Sequence, residues 1–256
     1  LTEILRQYGT QNPERAASKL KEYAKAVLIP PNEYIGTLQV SLAQHVRHYR
    51  CIRENIEQLE KEIALWLAQT QGAFLTTVRG IGIVLAAGVT AEIGDPNKQK
   101  PLNNLVSYSG IIPRVKQTGG PEGQTYTGKV AKRCNRLLKN YVVQSGLHLG
   151  LHGPEDLMTD YKRREASGQH ADFGIARRYL RMGMCLMRTS QIYLPQRLRN
   201  RNTKPKERAS YYLMIWPKLR DKWSKLDALN AAFAKDRPLG RWRNMVQELY
   251  GITLKL

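Results

Sequence analysis

The sequence places glycine turns next to basic side chains, a combination that is suited to phosphate binding. Arg79-Gly80-Ile81-Gly82 precedes an apolar helical run. A glycine turn at the start of a helix exposes backbone N–H groups that hold a phosphate oxygen without reading a base. The segment lacks the third glycine of a dinucleotide-binding fold. We therefore interpret it as a helix-hairpin-helix-like element that contacts phosphate through Arg79, Gly80 and Gly82; an ordinary helix–helix turn is the alternative.

The charge of the chain points to the same kind of partner. The 256 residues contain 41 Lys and Arg against 21 Asp and Glu, a net charge of +20. Residues 112–140 contain seven basic and one acidic side chain, and residues 161–209 contain thirteen and three. Segregated positive charge favours binding to a polyanion such as nucleic acid. The candidate contacts in the first stretch are Arg114, Lys116, Lys129, Lys132, Arg133 and Arg136.

Several function classes are disfavoured by the same sequence. No apolar run reaches the ~18 residues of a membrane span, so we expect a soluble cytoplasmic protein without a membrane partner. The three cysteines are widely spaced, which gives neither a disulfide framework nor a zinc site. We therefore expect no metal ligands in this chain. A basic surface that only aids solubility, or that meets an acidic protein, remains an alternative to nucleic-acid binding.

The elements that must position these residues are predicted to be mainly α-helical. Leu42, Tyr49, Ile56 and Ile63 recur every seven residues, and a second row offset by three contains His45, Ile52, Leu59 and Trp66. This spacing is typical of a coiled-coil seam. The seam either packs within the chain or pairs with a second copy, and the strict heptad favours a partner chain.

The predicted organisation has four parts. N-terminal helices occupy residues 1–36 and the long coiled-coil helix occupies 37–71. A compact helical domain follows over 72–195, with the helix-hairpin-helix-like element, a Gly-rich loop or hairpin at 114–128, and helices at about 130–149, 155–167 and 172–190. Residues 196–256 form a basic linker and an aromatic helical tail, which either stacks on single-stranded nucleic acid or packs against the core.

Four sequence blocks occur in an order that one family shares. They are Val78-Arg79-Gly80-Ile81-Gly82, then Ala91-Glu92-Ile93-Gly94-Asp95, then Leu105 to Arg114, and finally Thr118-Gly119-Gly120 with Gly128 to Leu138. Their order and spacing resemble the C-terminal transposase domain of the insertion-sequence-110 family, which includes the Piv DNA invertases. The resemblance is strong over about 72–150 and weaker over 37–71 and 170–195.

The resemblance implies a DNA transposase or recombinase of a prokaryotic mobile element, associated with the nucleoid. In that family a serine of this domain is the nucleophile, a separate RuvC-like domain binds divalent metal (Mg²⁺), and some members use a structured guide RNA. It implies that Thr118, where the family usually has serine, is the catalytic nucleophile beside Gly119 and Gly120. Thr118 as a simple turn cap is the alternative, with Ser109 as a reserve nucleophile. DNA, guide RNA and a second copy of the chain are the implied partners.

The family's acidic metal-binding tetrad is not found in this sequence, and the segment before the coiled coil is too short for a RuvC-like fold. The Leu at position 1 favours the interpretation that such a domain has been removed. We therefore expect the chain alone to bind nucleic acid without turnover. The alternative function is a non-catalytic, dimerising DNA- or RNA-binding module that positions nucleic acid for a separate nuclease.

Overall fold

The fold is mainly α-helical, as the sequence predicts. The computed structural model describes residues 2–7, 11–26, 31–98, 102–117, 125–130, 134–200 and 202–256; for 113–117 and 125–130 it describes only the backbone. Two compact units are formed, residues 1–55 and residues 56–256. Among the described helices, none combines the length and the hydropathy needed to cross a bilayer.

The N-terminal unit contains three helices, α1 (Thr2–Gln7), α2 (Pro13–Ala26) and most of α3 (Asn32–Leu67). The predicted heptads therefore lie on one continuous helix, which at 1.5 Å per residue is about 54 Å long. Leu42, Tyr49, Ile52, Ile56 and Leu59 of the seam are exposed. Packing of the seam within the chain is therefore not seen for these five residues.

The second unit begins where the end of α3 enters the core through Ala64 and Leu67. A 3-10 helix (Gln71–Thr77) leads to α4 (Ile83–Ile93) and α5 (Leu102–Tyr108). Three longer helices follow, α6 (Arg136–His152), α7 (Glu155–Ala166) and α8 (Ala171–Thr189). The predicted bounds of α7 and α8 agree with the structure within one residue.

Helix α6 is central because α4, α7 and α8 all pack against it. Glycines permit the close approach: a Cβ on Gly146 would lie 2.5 Å from the Asp172 carbonyl oxygen of α8. A Cβ on Gly88 of α4 would lie 2.6 Å from the Tyr141 ring. These two contacts fix how α4 and α8 lie along α6.

A two-stranded antiparallel hairpin joins α5 to α6. Strand β1 (Pro113–Gln117) pairs with β2 (Thr125–Val130), and a register irregularity lies between Pro113 and Val115. The sequence predicts either a loop or a hairpin at this place, and the structure shows a hairpin. The prediction of a helix from about Val130 is wrong, because Val130 ends a strand and α6 begins at Arg136 with Asn135 as its cap.

The C-terminal tail packs against the core. It contains a 3-10 turn (Gln196–Leu198), α9 (Pro205–Ser224), α10 (Leu229–Ala232) and α11 (Pro238–Tyr250). Trp216, Trp223 and Trp242 are buried in the same cluster as the helices of the preceding domain. Trp216 meets Phe233 edge-on at 4.9 Å. Of the two alternatives for the tail aromatics, burial in the core is the one observed for these side chains.

Candidate nucleic-acid interface

The glycine turn, residues 78–82, has a backbone that only glycine adopts readily at its centre. Gly80 has φ +92°, and a Cβ there would lie 3.3 Å from the His148 carbonyl oxygen at the end of α6. Gly82 caps α4 without a side-chain hydrogen bond, and a Cβ there would meet nothing within 4 Å. Arg79 is exposed. Space is therefore open beside Gly82 at the start of α4, a geometry suited to a phosphate oxygen.

A lysine from the tail holds this turn from the inside. The Nζ of Lys222 in α9 donates to the carbonyl oxygens of Thr76 (2.6 Å), Ile81 (2.8 Å) and Val78 (3.3 Å). Burial lowers the pKa of Lys222 from 10.5 to about 8, because desolvation disfavours its charged form. The ammonium group is still mostly protonated at neutral pH, so all three of its N–H donors are available for the three acceptors.

The base of the hairpin is fixed by one asparagine. The side-chain oxygen of Asn135 accepts from the Leu138 N–H at 2.9 Å and so caps α6. Its amide nitrogen donates to Glu92 at the end of α4 (2.6 Å) and to the Tyr108 hydroxyl (2.9 Å), and its backbone N–H donates to the Tyr108 carbonyl (2.9 Å). These bonds tie the start of α6, at Arg136, to the ends of α4 and α5.

A basic surface, defined by Arg136, Lys139, Arg177 and Arg181, runs across α6 and α8. Arg136 and Lys139 are one turn apart on α6, as are Arg177 and Arg181 on α8. The Phe173 ring joins the two pairs, because Lys139 Nζ lies 5.6 Å from its centroid and Arg177 follows one turn later. Within the described ranges none of the four forms an ion pair with a carboxylate.

The pKa of Arg177 is lowered, first by burial and then by the positive charges of Arg164 and Arg181. Asp172, the one acid of α8, lies near Tyr161 instead, whose pKa is raised by burial and then by the charges of Glu165 and Asp172. Arg164 is paired with Asp160 at 3.2 Å, whereas Arg177 and Arg181 form no ion pair with a described carboxylate. Like charges that approach each other destabilise the folded state, so the Arg177–Arg181 pair favours an external anion. The basic surface therefore has the electrostatics of a phosphate-binding face.

The structure separates the residues that the sequence nominates. Gly80 touches α6 at His148 whereas Arg136 begins that helix, a distance along the axis of about 18 Å. Arg79, Gly80 and Gly82 therefore do not share one small site with Arg136. Thr118, Gly119, Gly120, Lys132 and Arg133 lie outside the described residues, and Arg114, Lys116 and Lys129 are described only as backbone of the hairpin.

Two further candidate groups can be assessed. Ser109, the reserve nucleophile, is fully buried and donates to the Val106 carbonyl oxygen at 2.8 Å, so it cannot reach a nucleic-acid strand. Across the described ranges, no three His, Cys, Asp or Glu side chains come together to hold a metal ion. His148 and His152 of α6 are both exposed, with ring centroids 6.5 Å apart.

Sequence reasoning missed Lys222 and did not single out Arg177 and Arg181. The apolar period of α9 gave a weak signal for Lys222, because Leu219 and Trp223 flank it on the buried face. Arg177 and Arg181 fell within the basic stretch 161–209, but only the packing of α8 on α6 brings them to Lys139. Asn135 was part of a family block without an assigned role.

Comparison with known proteins connects this geometry to a family. Residues 72–158 match the family described as "Transposase IS116/IS110/IS902 family". The chain is 29% identical over 144 residues to the Yersinia enterocolitica "Transposase for insertion sequence element IS1328", and the alignment covers 55% of this chain and 41% of that protein. It is 27% identical over 163 residues to the Streptomyces coelicolor "Insertion element IS110 uncharacterized 43.6 kDa protein", covering 62% and 39%.

The aligned part thus spans about two fifths of the length of these relatives. No solved structure matches the chain. The matching region includes the glycine turn, both hairpin strands, Asn135 and all of α6, whereas α8 with Arg177 and Arg181 lies beyond it. Over residues 72–158 this chain is therefore similar to transposases of the IS116/IS110/IS902 family.

Proposed function

We propose that this chain is the DNA-binding and strand-transfer part of a mobile-element recombinase, and that it acts together with a separate acidic, metal-binding domain. One observation carries the proposal: the region similar to the transposase family contributes Arg136 and Lys139 to a basic surface that Arg177 and Arg181 of α8 extend. None of these four cations forms an ion pair with a carboxylate in the described residues. Duplex DNA carries one negative charge about every 1.7 Å along its axis, so several phosphates can face such a positively charged surface at once.

The two contact regions suit one duplex. The glycine turn and Arg136 are about 18 Å apart along α6, which corresponds to roughly five base pairs at 3.4 Å per step. A backbone phosphate at the glycine turn and others at the basic surface are thus compatible with a single segment of DNA. These contacts fix position and register without reading sequence. Target choice would therefore come from another source, and a guide RNA is the partner that we propose for it.

Thr118 is the proposed nucleophile. In the sequence it directly follows Gln117, the last residue of β1. In the proposed step a Thr118 Oγ–phosphorus bond forms, the bond from phosphorus to the 3′ oxygen breaks, and a 5′-phosphate remains linked to the protein. The hydroxyl proton passes to a base of the separate domain, and the 3′ oxygen leaves as a hydroxyl after taking up a proton.

The coiled-coil seam is the proposed contact with a second copy of the chain. Exposed Leu42, Tyr49, Ile52, Ile56 and Leu59 form a continuous apolar stripe along α3. Such a stripe with seven-residue spacing is stable in water when another helix covers it. Two copies would bring two hairpins together on DNA, as strand exchange between two sites requires.

A suicide DNA substrate tests the nucleophile, with the acidic domain supplied. A covalent protein–DNA adduct should form with the wild-type chain and with Thr118→Ser, and be absent with Thr118→Ala. An adduct that survives Thr118→Ala would refute the assignment. Arg79→Ala is a useful comparison, because it should weaken DNA binding while still allowing the adduct at saturating DNA.

A non-catalytic, dimerising nucleic-acid-binding module is the second candidate. It is favoured by the absence of a metal-ligand cluster in the described residues and by threonine at position 118, whose methyl group crowds in-line attack. Under this second candidate, DNA affinity falls steeply with salt concentration, and neither the wild type nor Thr118→Ser forms an adduct. The suicide-substrate experiment therefore separates the two candidates.

A further inference from the structure

A cleft of about 800 Å³ lies between the transposase domain and the C-terminal tail. One wall comes from the 3-10 helix, the glycine turn and the start of α7, and the other from residues 193–222. The second wall lies outside residues 72–158, the part that matches the family. Pockets of roughly 300–1,000 Å³ enclose small organic ligands, so the cleft has room for a nucleotide.

The rim of the cleft is positively charged. Arg79 of the glycine turn, Arg197 of the second 3-10 helix and Lys218 of α9 line it, and all three are exposed. They come from three separate segments and form no ion pair with any described carboxylate. Convergence of three free cations on one opening favours an anion with a phosphate group.

The interior of the cleft is largely apolar, with its polar groups already engaged. Met214, with 58% exposure, lines it beside Pro154 and Pro195. Asp156 accepts from Arg178 at 2.6 Å and from the Tyr193 hydroxyl at 3.1 Å. Lys222 uses its donors on three carbonyl oxygens. Glu155 is the exposed carboxylate of the lining and can accept from an exocyclic amino group.

We infer that this cleft binds one unstacked nucleotide of a nucleic-acid strand. The base would lie against Met214 and the two prolines, and its phosphate against the rim cations. The inference rests on the proposed DNA-binding function and adds to it a site for an extrahelical base. A base is taken out of its stack most easily where pairing is already broken, as at the point of strand exchange.

A DNA duplex with one extrahelical adenine provides the test, with two comparison duplexes: one with an abasic unit at the bulge and one fully paired. Affinities are measured by fluorescence anisotropy on the full chain. The wild-type protein should bind the adenine bulge about tenfold more tightly than the abasic bulge, the size expected for one base contact. Met214→Trp fills the cleft and should abolish this preference without changing affinity for the paired duplex.

Leu213→Trp is the matched control, because Leu213 is the adjacent residue, has 49% exposure and does not line the cleft. It should keep the tenfold preference. Equal affinity of the wild-type chain for adenine and abasic bulges would overturn the inference and leave DNA binding intact. Equal loss of the preference in both tryptophan variants would also overturn it. No binding to any of the three duplexes would instead refute the proposed function.

Discussion

Replacement of Lys222 by methionine tests the contact between the tail and the glycine turn. Methionine keeps most of the length of the side chain but removes the ammonium group, so the carbonyl oxygens of Thr76, Val78 and Ile81 lose their donor. Acceptors left unsatisfied in a partly buried place destabilise the folded state. We therefore expect a lower free energy of unfolding in the Lys222→Met variant.

The magnitude follows from two opposing effects. Three hydrogen bonds from a charged donor contribute about 1.5–3 kcal/mol each, or about 4.5–9 kcal/mol together. The fall of the pKa from 10.5 to about 8 corresponds to a burial cost of about 3 kcal/mol at ~1.4 kcal/mol per pKa unit, which methionine does not incur. Because partial relaxation reduces the difference, we expect a loss of about 2–4 kcal/mol.

The loss should depend on pH in a defined direction. Between about pH 8 and pH 10.5 the unfolded chain keeps the Lys222 proton and the folded chain releases it, so the contribution of Lys222 to stability rises with pH. Urea unfolding of the wild type and Lys222→Met should show a constant difference below pH 7 and a widening one from pH 8 to 10.

Lys218→Met, one turn earlier and exposed, is the control and should change stability by less than about 0.5 kcal/mol. Two outcomes would refute the reasoning. One is equal stability of Lys222→Met and the wild type; the other is a difference that does not change from pH 6 to pH 10. The first result would mean that the ammonium group does not stabilise the three-carbonyl site, and the second that burial does not lower its pKa.

Three other variants test separate parts of the molecule. Gly80→Ala should lower the free energy of unfolding by about 1–2 kcal/mol, because residue 80 has a left-handed backbone, whereas Gly82→Ala should not lower it. Equal effects of the two variants in chemical denaturation would contradict the turn geometry. The double variant Arg177→Gln, Arg181→Gln should reduce the slope of log DNA affinity against log salt concentration by about 1.8. The control is Arg241→Gln at an exposed position, and an unchanged slope in the double variant would exclude the basic surface from the DNA contact. Ile52→Asp with Ile56→Asp should shift the chain to monomer in sedimentation equilibrium while Gln58→Asp does not, and a wild-type chain that is already monomeric at high concentration would contradict the coiled-coil proposal.

The helical part of the fold could be predicted because its signals are local. Heptad spacing gave the long helix, and Gly, Pro and Ser residues around α7 and α8 gave their ends. The start of α6 was missed because the run from Val130 contains good helix formers, whereas hairpin pairing of Val130 with Pro113 overrides that propensity. Asn135 then supplies the true cap.

The candidate interface was less predictable, because it depends on contacts between distant segments. Lys222 meets carbonyl groups more than 140 positions earlier in the chain. Arg177 and Arg181 join Lys139 only through the packing of α8 on α6 at Gly146. The sequence identifies Lys and Arg residues that could bind phosphate. It does not show which of these many residues remain without an acidic partner after folding.

Helix α6 and the tail together explain why the glycine turn can keep an open phosphate-binding geometry. The end of α6 supports Gly80 from one side, and Lys222 satisfies the carbonyl oxygens that point inward on the other. The start of α4 at Gly82 has open space beside it. Because the turn depends on an ammonium group from α9, the tail is a structural requirement of the glycine turn, although it lies beyond the residues that match the transposase family.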